Sequence, residues 1–128
     1  MLKQIVLVGM GGGTGSIFRY LTSVLTARYY ANVFPMATFA ANLIGCFLIG
    51  LFIGYIDRNH TLSPDYRFLL VTGFCGGYTT FSSFALENFN LFHSQNYFTL
   101  AAYILLSVVM GYIAVALGMY ISKTVTFG

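Results

Sequence analysis

The stretch Thr72-Gly-Phe-Cys-Gly-Gly-Tyr-Thr-Thr-Phe-Ser-Ser-Phe84 lies inside an apolar run long enough to cross a bilayer, yet it is poorly suited to a plain helix. Gly73, Gly76 and Gly77 weaken a helix, and Thr79, Thr80, Ser82 and Ser83 follow at once, interleaved with Phe81 and Phe84. The stretch reads as a break in a membrane helix near Gly73 to Thr79. In hydrocarbon an unpaired backbone group is costly, so such a break must be buried in protein or line a polar cavity, where an ion or water completes it. The competing reading is that the glycines only let two helices approach closely. The dense hydroxyl and aromatic run after them favours a functional site.

The rest of the chain agrees with a membrane setting. Of its 128 residues 58% are hydrophobic and 7% charged, and the mean hydropathy is +0.79, whereas soluble domains carry about 25% charged residues. At about 20 residues per crossing, the length fits a single all-α domain, 1–128, of four transmembrane helices. The net charge of +3 comes from scattered basic residues that form no nucleic-acid patch and serve better as flanks to membrane segments. Cys46 and Cys75 sit in apolar surroundings and make neither a disulfide framework nor a metal spacing. The first apolar stretch is too long for a signal peptide and has no cleavage site after it, so it is expected to remain.

Residues 4 to 27 form the first expected helix, with the small-xxx-small pairs Gly9/Gly13 and Gly11/Gly15. Thr14 breaks the glycine frame of a dinucleotide-binding loop there. Arg19 is the one charge embedded in this helix. It either has a structural or functional partner or snorkels to the nearer interface. The second helix, Met36 to Ile56, puts Thr38 and Asn42 on one face. A bare amide in lipid must bond another helix or face a wet cavity. The short loop Asp57 to Asp65 makes the second and third helices antiparallel neighbours. In the third segment, Tyr66 to Phe92, Phe81 and Phe84 lie at i, i+3, while Thr79, Ser83 and Glu87 follow at i, i+4, Glu87 near the interface. The fourth helix, Tyr97 to Ser122, aligns Thr99, Tyr103, Ser107 and Gly111 in a small polar stripe. Four crossings place Lys3, Arg58, Arg67 and Lys123 on one side and Arg19 and Arg28 on the other, a slight bias compatible with insertion in both orientations.

Enzyme chemistry finds no support: both histidines are in loops, the three carboxylates are dispersed, and no nucleophile has a base at helical spacing. A small multidrug-type cation transporter needs an acidic residue deep in a helix, and Glu87 is too near an end. A structural membrane subunit has no need of the break and its hydroxyls. A small-ion pathway accounts for most of these features.

Gly73 to Phe84 (GFCGGYTTFSSF), with Asn42 in Ala41-Asn42-Leu43-Ile44-Gly45 and Arg19 in Gly15-Ser16-Ile17-Phe18-Arg19, resembles the bacterial fluoride channels called Fluc or CrcB, along essentially the whole chain. The resemblance implies a multi-pass protein of the bacterial inner membrane, an antiparallel homodimer of four-helix subunits with two fluoride pores and a central structural sodium ion. It implies sodium ligation by the main-chain carbonyls of Gly76 and Thr79 from both subunits. Phe81 and Phe84 would line the anion path, with Asn42 bonding fluoride or orienting the rings, and Thr38, Ser83, Tyr103 and Ser107 at polar positions along it. Arg19 and Glu87 are left as vestibule or structural residues. Gly111 departs from the pattern, since some relatives have serine there.

Overall fold

A computed structural model describes residues 1–125, and among these it is helical throughout, with no strand. Helix α1 is Leu2–Tyr29, and α2 is Met36–Arg58. A nine-residue π-helix, Arg67–Cys75, leads directly into the short turn α3, Gly76–Tyr78; α4 is Phe81–His93 and α5 is Tyr97–Thr124. Met36–Arg58, Arg67–His93 and Tyr97–Thr124 are each long and apolar enough to span a membrane, with hydropathies of 2.1, 1.2 and 2.3. Helix α1, at about 1.5 Å per residue, matches them in length. Its glycine and hydroxyl content lowers its hydropathy, and its place alongside the third segment is fixed by packing.

That packing is backbone against backbone. A Cβ on Gly11 would strike Leu69 O and come within 2.8 Å of Phe74 N; one on Gly15 would strike Phe74 O and come within 2.8 Å of Tyr78 N. Gly77 faces Gly12 in the same way. The Gly11/Gly15 pair is therefore the seam with the third segment, whereas Gly9 and Gly13, with nothing of the subunit within 4 Å, are not. On the other side, Gly50 lies against Val115 O, Gly54 against Ser122, and Gly118 against Phe47 O. Contacts that advance together along both helices mean parallel packing. The two tightest pairs, α1 with the third segment and α2 with α5, are thus parallel and not adjacent in sequence. The expected antiparallel contact of helices two and three also exists, through Gly45 against Thr79 and Asn42 against Thr80.

The core is accordingly made mainly of small residues, with two tyrosines and Leu91. Ala41, Cys75, Tyr78, Tyr103 and Ser122 are nearly inaccessible, while Phe81, Phe98 and Tyr112 are more than three-quarters exposed. This inversion suits a chain whose surroundings are apolar. At one end, Lys3 Nζ pairs with Asp65 Oδ2 at 2.6 Å and Arg67 Nη2 with Asp57 Oδ1 at 2.7 Å. These pairs, with Gly54 against Ser122, gather Lys3, Arg58, Arg67 and Lys123 at that end, as the charge reading required. Helix α4 closes in a Schellman motif: Asn96 N donates to Leu91 O and Gln95 N to Phe92 O, with Gln95 left-handed at φ 62°.

The helix break is real but displaced. Gly76 and Gly77 belong to the helical turn α3, and Gly73 to the π-helix. The backbone becomes extended at Thr79 (φ −83°, ψ 157°) and Thr80 (φ −149°, ψ 120°). The competing reading thus holds for Gly73 and Gly77, which stay helical and lie against α1 backbone. The interruption falls instead on the pair of β-branched hydroxyl residues. Thr80 turns its side chain to N-cap α4, accepting from Ser83 N at 3.1 Å, a role that competes with helix continuation.

Candidate functional site

An α-helix continued through the break would send Thr80 N to Gly76 O, and Ser83 N to Thr79 O. Both donors are diverted. Thr80 N donates to Asn42 Oδ1 at 2.7 Å, while Asn42 Nδ2 donates to Thr80 O at 3.1 Å. Ser83 N is taken by Thr80 Oγ1. A third carbonyl, Gly77 O, accepts from Arg19 Nε at 3.2 Å and more weakly from Ser16 Oγ at 3.5 Å. Arg19 therefore does not snorkel: its guanidinium is tied to the break at the middle of the third segment. Tyr78, at the break's near edge, is anchored to α1 by a 2.8 Å hydrogen bond between its hydroxyl and Thr22 Oγ1.

Two cavities flank this point. An open groove of about 530 Å³ is lined by Asn42, Cys46, Cys75, Gly76, Thr79, Thr80, Phe81, Phe84 and Ser107, among others. A smaller cavity of about 300 Å³ is lined by Ser16, Arg19, Tyr20, Ser23, Ala37, Thr38, Thr80 and Ser83. Thr80 lines both. The residues singled out by sequence are thus divided, with Asn42, Gly76, Thr79, Phe81, Phe84 and Ser107 on the groove and Arg19, Thr38 and Ser83 on the polar cavity.

Tyr103 sits between the two sets. It is inaccessible to solvent, and its ring meets that of Phe84 edge to face at 4.9 Å and that of Phe34 at 5.3 Å. Its hydroxyl lies beside Thr38 and Glu87, which are themselves joined by a 2.6 Å bond from Thr38 Oγ1 to Glu87 Oε1. Glu87 is therefore half-buried and engaged by α2, not free at the interface as its distance from the segment's end implied. Among the described residues, neither Tyr103 Oη nor Ser107 Oγ, both buried, has a hydrogen-bond partner. Phe81, four-fifths exposed, holds its ring 5.9 Å from that of Phe84 on the open side of the groove. Gly111 lies beyond, its missing Cβ 3.6 Å from Cys46 Sγ.

Thr80 is the residue that the spacing argument left out. Its signal was present, because a threonine directly before an apolar helical run and three residues ahead of Ser83 is an N-cap position. Ser16 was likewise counted only as a small residue, although it stands one turn from Arg19.

Fold and site define a class: a small, all-helical, multi-pass membrane protein built on a capped helix break where an apolar groove and a polar cavity meet. The chain belongs to the CrcB family, whose profile, described as CrcB-like protein, camphor resistance (CrcB), matches residues 6–119. Similar proteins are called fluoride-specific ion channel FluC. That of Azobacteroides pseudotrichonymphae is 47% identical, covering 96% of this chain and 98% of its own. Those of Flavobacterium psychrophilum and Phocaeicola vulgatus are 46% and 43% identical, each covering 95% of this chain and 98% and 100% of their own.

Proposed function

We propose that this protein is a passive fluoride channel of the bacterial inner membrane, conducting along the seam between groove and polar cavity. One observation carries the reading: among the described residues, Tyr103 Oη and Ser107 Oγ are buried one helical turn apart on α5 without hydrogen-bond partners, Tyr103 with its ring against Phe84 and Ser107 lining the groove with Phe84. Leaving a buried hydroxyl unpaired costs about 1–3 kcal/mol, a cost worth bearing where the O–H must meet a passing ion. Fluoride is small and strongly hydrated, so compact donors and the positive edges of aromatic rings are what replace its water. Phe81 and Phe84 supply edges, Thr38, Ser83, Tyr103 and Ser107 supply hydroxyls, and the guanidinium of Arg19 favours an anion in the polar cavity.

The working unit in this reading is an antiparallel homodimer. Phe81 and the mouth of the groove are open in one subunit, and a second copy closes them into a conduit. A sodium ion fits the same place. Gly76 O and Thr79 O are the carbonyls whose helical donors are diverted, both residues line the groove, and neutral oxygens suit a hard cation. Bound there, the ion would supply structural charge, raising the attraction for anions nearby.

The test is fluoride efflux from liposomes holding purified protein, with no proton or sodium gradient applied. Rapid fluoride release without comparable chloride release is expected. Equal rates for the two anions, or release only under a driving gradient, would defeat the proposal.

A further inference from the structure

We infer that Asn42 is a positioning residue, a side-chain substitute for a peptide group that holds the Thr79–Thr80 break open, its amide committed to the backbone of Thr80. Both polar atoms of the amide engage one residue, Oδ1 receiving Thr80 N–H at 2.7 Å and Nδ2 donating to Thr80 O at 3.1 Å. An N–H on one side and a carbonyl on the other fix which amide atom is which. The pairing resembles one rung of a sheet ladder made between a side chain and an extended residue. Its place on α2 is fixed, because Ala41 beside it is buried and Gly45, nearly one turn on, lies directly against Thr79.

The consequence reaches two sites at once. Thr80 N is the donor a restored helix would return to Gly76 O, so the Asn42 contact keeps that carbonyl free. Thr80, held extended, caps Ser83 N and so sets the first turn of α4, which carries Phe81 and Phe84. Without Asn42, Thr80 N has its helical acceptor as the alternative, and closing that bond rotates both rings away from the groove. Asn42 thereby couples ring placement to carbonyl placement. This rests on the channel reading only where conduction is the readout.

The decisive variant leaves every side chain intact: Thr80 is replaced by its α-hydroxy acid, whose ester link removes the Thr80 N–H and also makes Thr79 O a weaker acceptor, so efflux lost in it counts for the inference only where Asn42→Ala, which leaves Thr79 O as it is, loses efflux too. In protein of wild-type oligomeric size, this change and Asn42→Ala are each expected to lower fluoride efflux at least tenfold. Independently, the Thr80 amide, outside any helical ladder, is expected to exchange with deuterium slowly in wild type and about tenfold or more faster in Asn42→Ala, the effect of losing one net hydrogen bond. An ester-containing protein that conducts at the wild-type rate would overturn the inference, placing Asn42 on the ion itself. So would unchanged protection of Thr80 in Asn42→Ala. If Asn42→Ala does not fold, Asn42→Leu, of similar volume and without either polar atom, replaces it in both measurements. A wild-type protein that does not conduct fluoride would defeat the channel proposal, while amide exchange would still judge the Asn42 contact.

Discussion

Replacing Tyr103 with Phe removes one oxygen from the largest fully buried side chain among the described residues. The ring contacts to Phe84 and Phe34, at 4.9 and 5.3 Å, are kept. Because the hydroxyl is buried without a partner, its removal is expected to leave stability unchanged or raise it by up to about 1–3 kcal/mol, the desolvation cost of an unpaired group. Conduction should move the other way. A hydrogen bond to a charged species is worth about 1.5–3 kcal/mol, and at about 1.4 kcal/mol per factor of ten its loss at the barrier slows efflux by roughly 10- to 150-fold. Thermal unfolding of detergent-solubilised protein and fluoride efflux from liposomes, measured on one preparation, give the two values. A Tyr103→Phe protein destabilised by more than about 1 kcal/mol would mean that the hydroxyl does have a partner. One that is stable and conducts normally would remove Tyr103 from the ion path.

The two phenylalanines should separate by the same pair of measurements. Phe84→Ile is expected to cost stability as well as efflux, because its ring packs on Tyr103, while Phe81→Ile, four-fifths exposed in the subunit, should lose efflux with stability changed by less than about 0.5 kcal/mol. Intact efflux in both would make the rings packing residues. On α1, Gly15→Ala should destabilise strongly, since the added methyl meets the backbone of Phe74 and Tyr78, and Gly13→Ala should not; equal unfolding temperatures would contradict the assigned seam. At the exposed end, the hydrogen bond from Lys3 holds the Asp65 carboxyl below its ordinary value of 3.8. A lowered native value means that the tether contributes fully above the ordinary range and is lost as pH falls through the native one. The protection of the loop 59–66 amides, their deuterium exchange rates compared with the intrinsic rates at each pH, should therefore fall on acidification in wild type, and Lys3→Ala should weaken that dependence.

The spans were legible because hydropathy sets them. Expected bounds of 36–56 and 97–122 compare with Met36–Arg58 and Tyr97–Thr124, the two extra residues of each being polar flanks that stay helical beyond the apolar run. The position of the break was less legible. Glycine propensity alone points to 73–77, but a glycine between close-packed helices loses its penalty through the backbone contact it permits, as Gly77 does against Gly12. Thr79 and Thr80 break the helix because hydroxyl and amide partners offer their backbone an alternative. That alternative comes from Asn42, 38 residues away, and no local pattern encodes it. Arg19 is the same case at a separation of 58: only the contact of its Nε with Gly77 O distinguishes a structural partner from snorkelling. The parallel pairing of α2 with α5 was equally out of reach, because loop length speaks only for sequence neighbours.

The break also bears on the proposed dimer. Interrupting a helix at Thr79–Thr80 releases carbonyls from Gly76 to Thr79, and the subunit deals with them unequally. Helix α1 takes Gly77 O through Arg19 and Ser16. Helix α2 takes the released N–H of Thr80, and the cap at Thr80 takes that of Ser83. The last two bonds withdraw the donors that Gly76 O and Thr79 O would have in a continued helix. The donors are spent on holding the break open, and Gly76 and Thr79, whose carbonyls lose them, both line the groove. In water such oxygens are satisfied at little cost; at membrane depth they are not. The sequence therefore maintains, with the Asn42 amide and the Thr80 hydroxyl, a pair of carbonyls deprived of their helical donors. Physical economy makes sense of this only if something outside the chain completes them. That is the ground for expecting a second copy and a cation at this place, with the exposed Phe81 and the unpaired hydroxyls of Tyr103 and Ser107 beside it left for an anion.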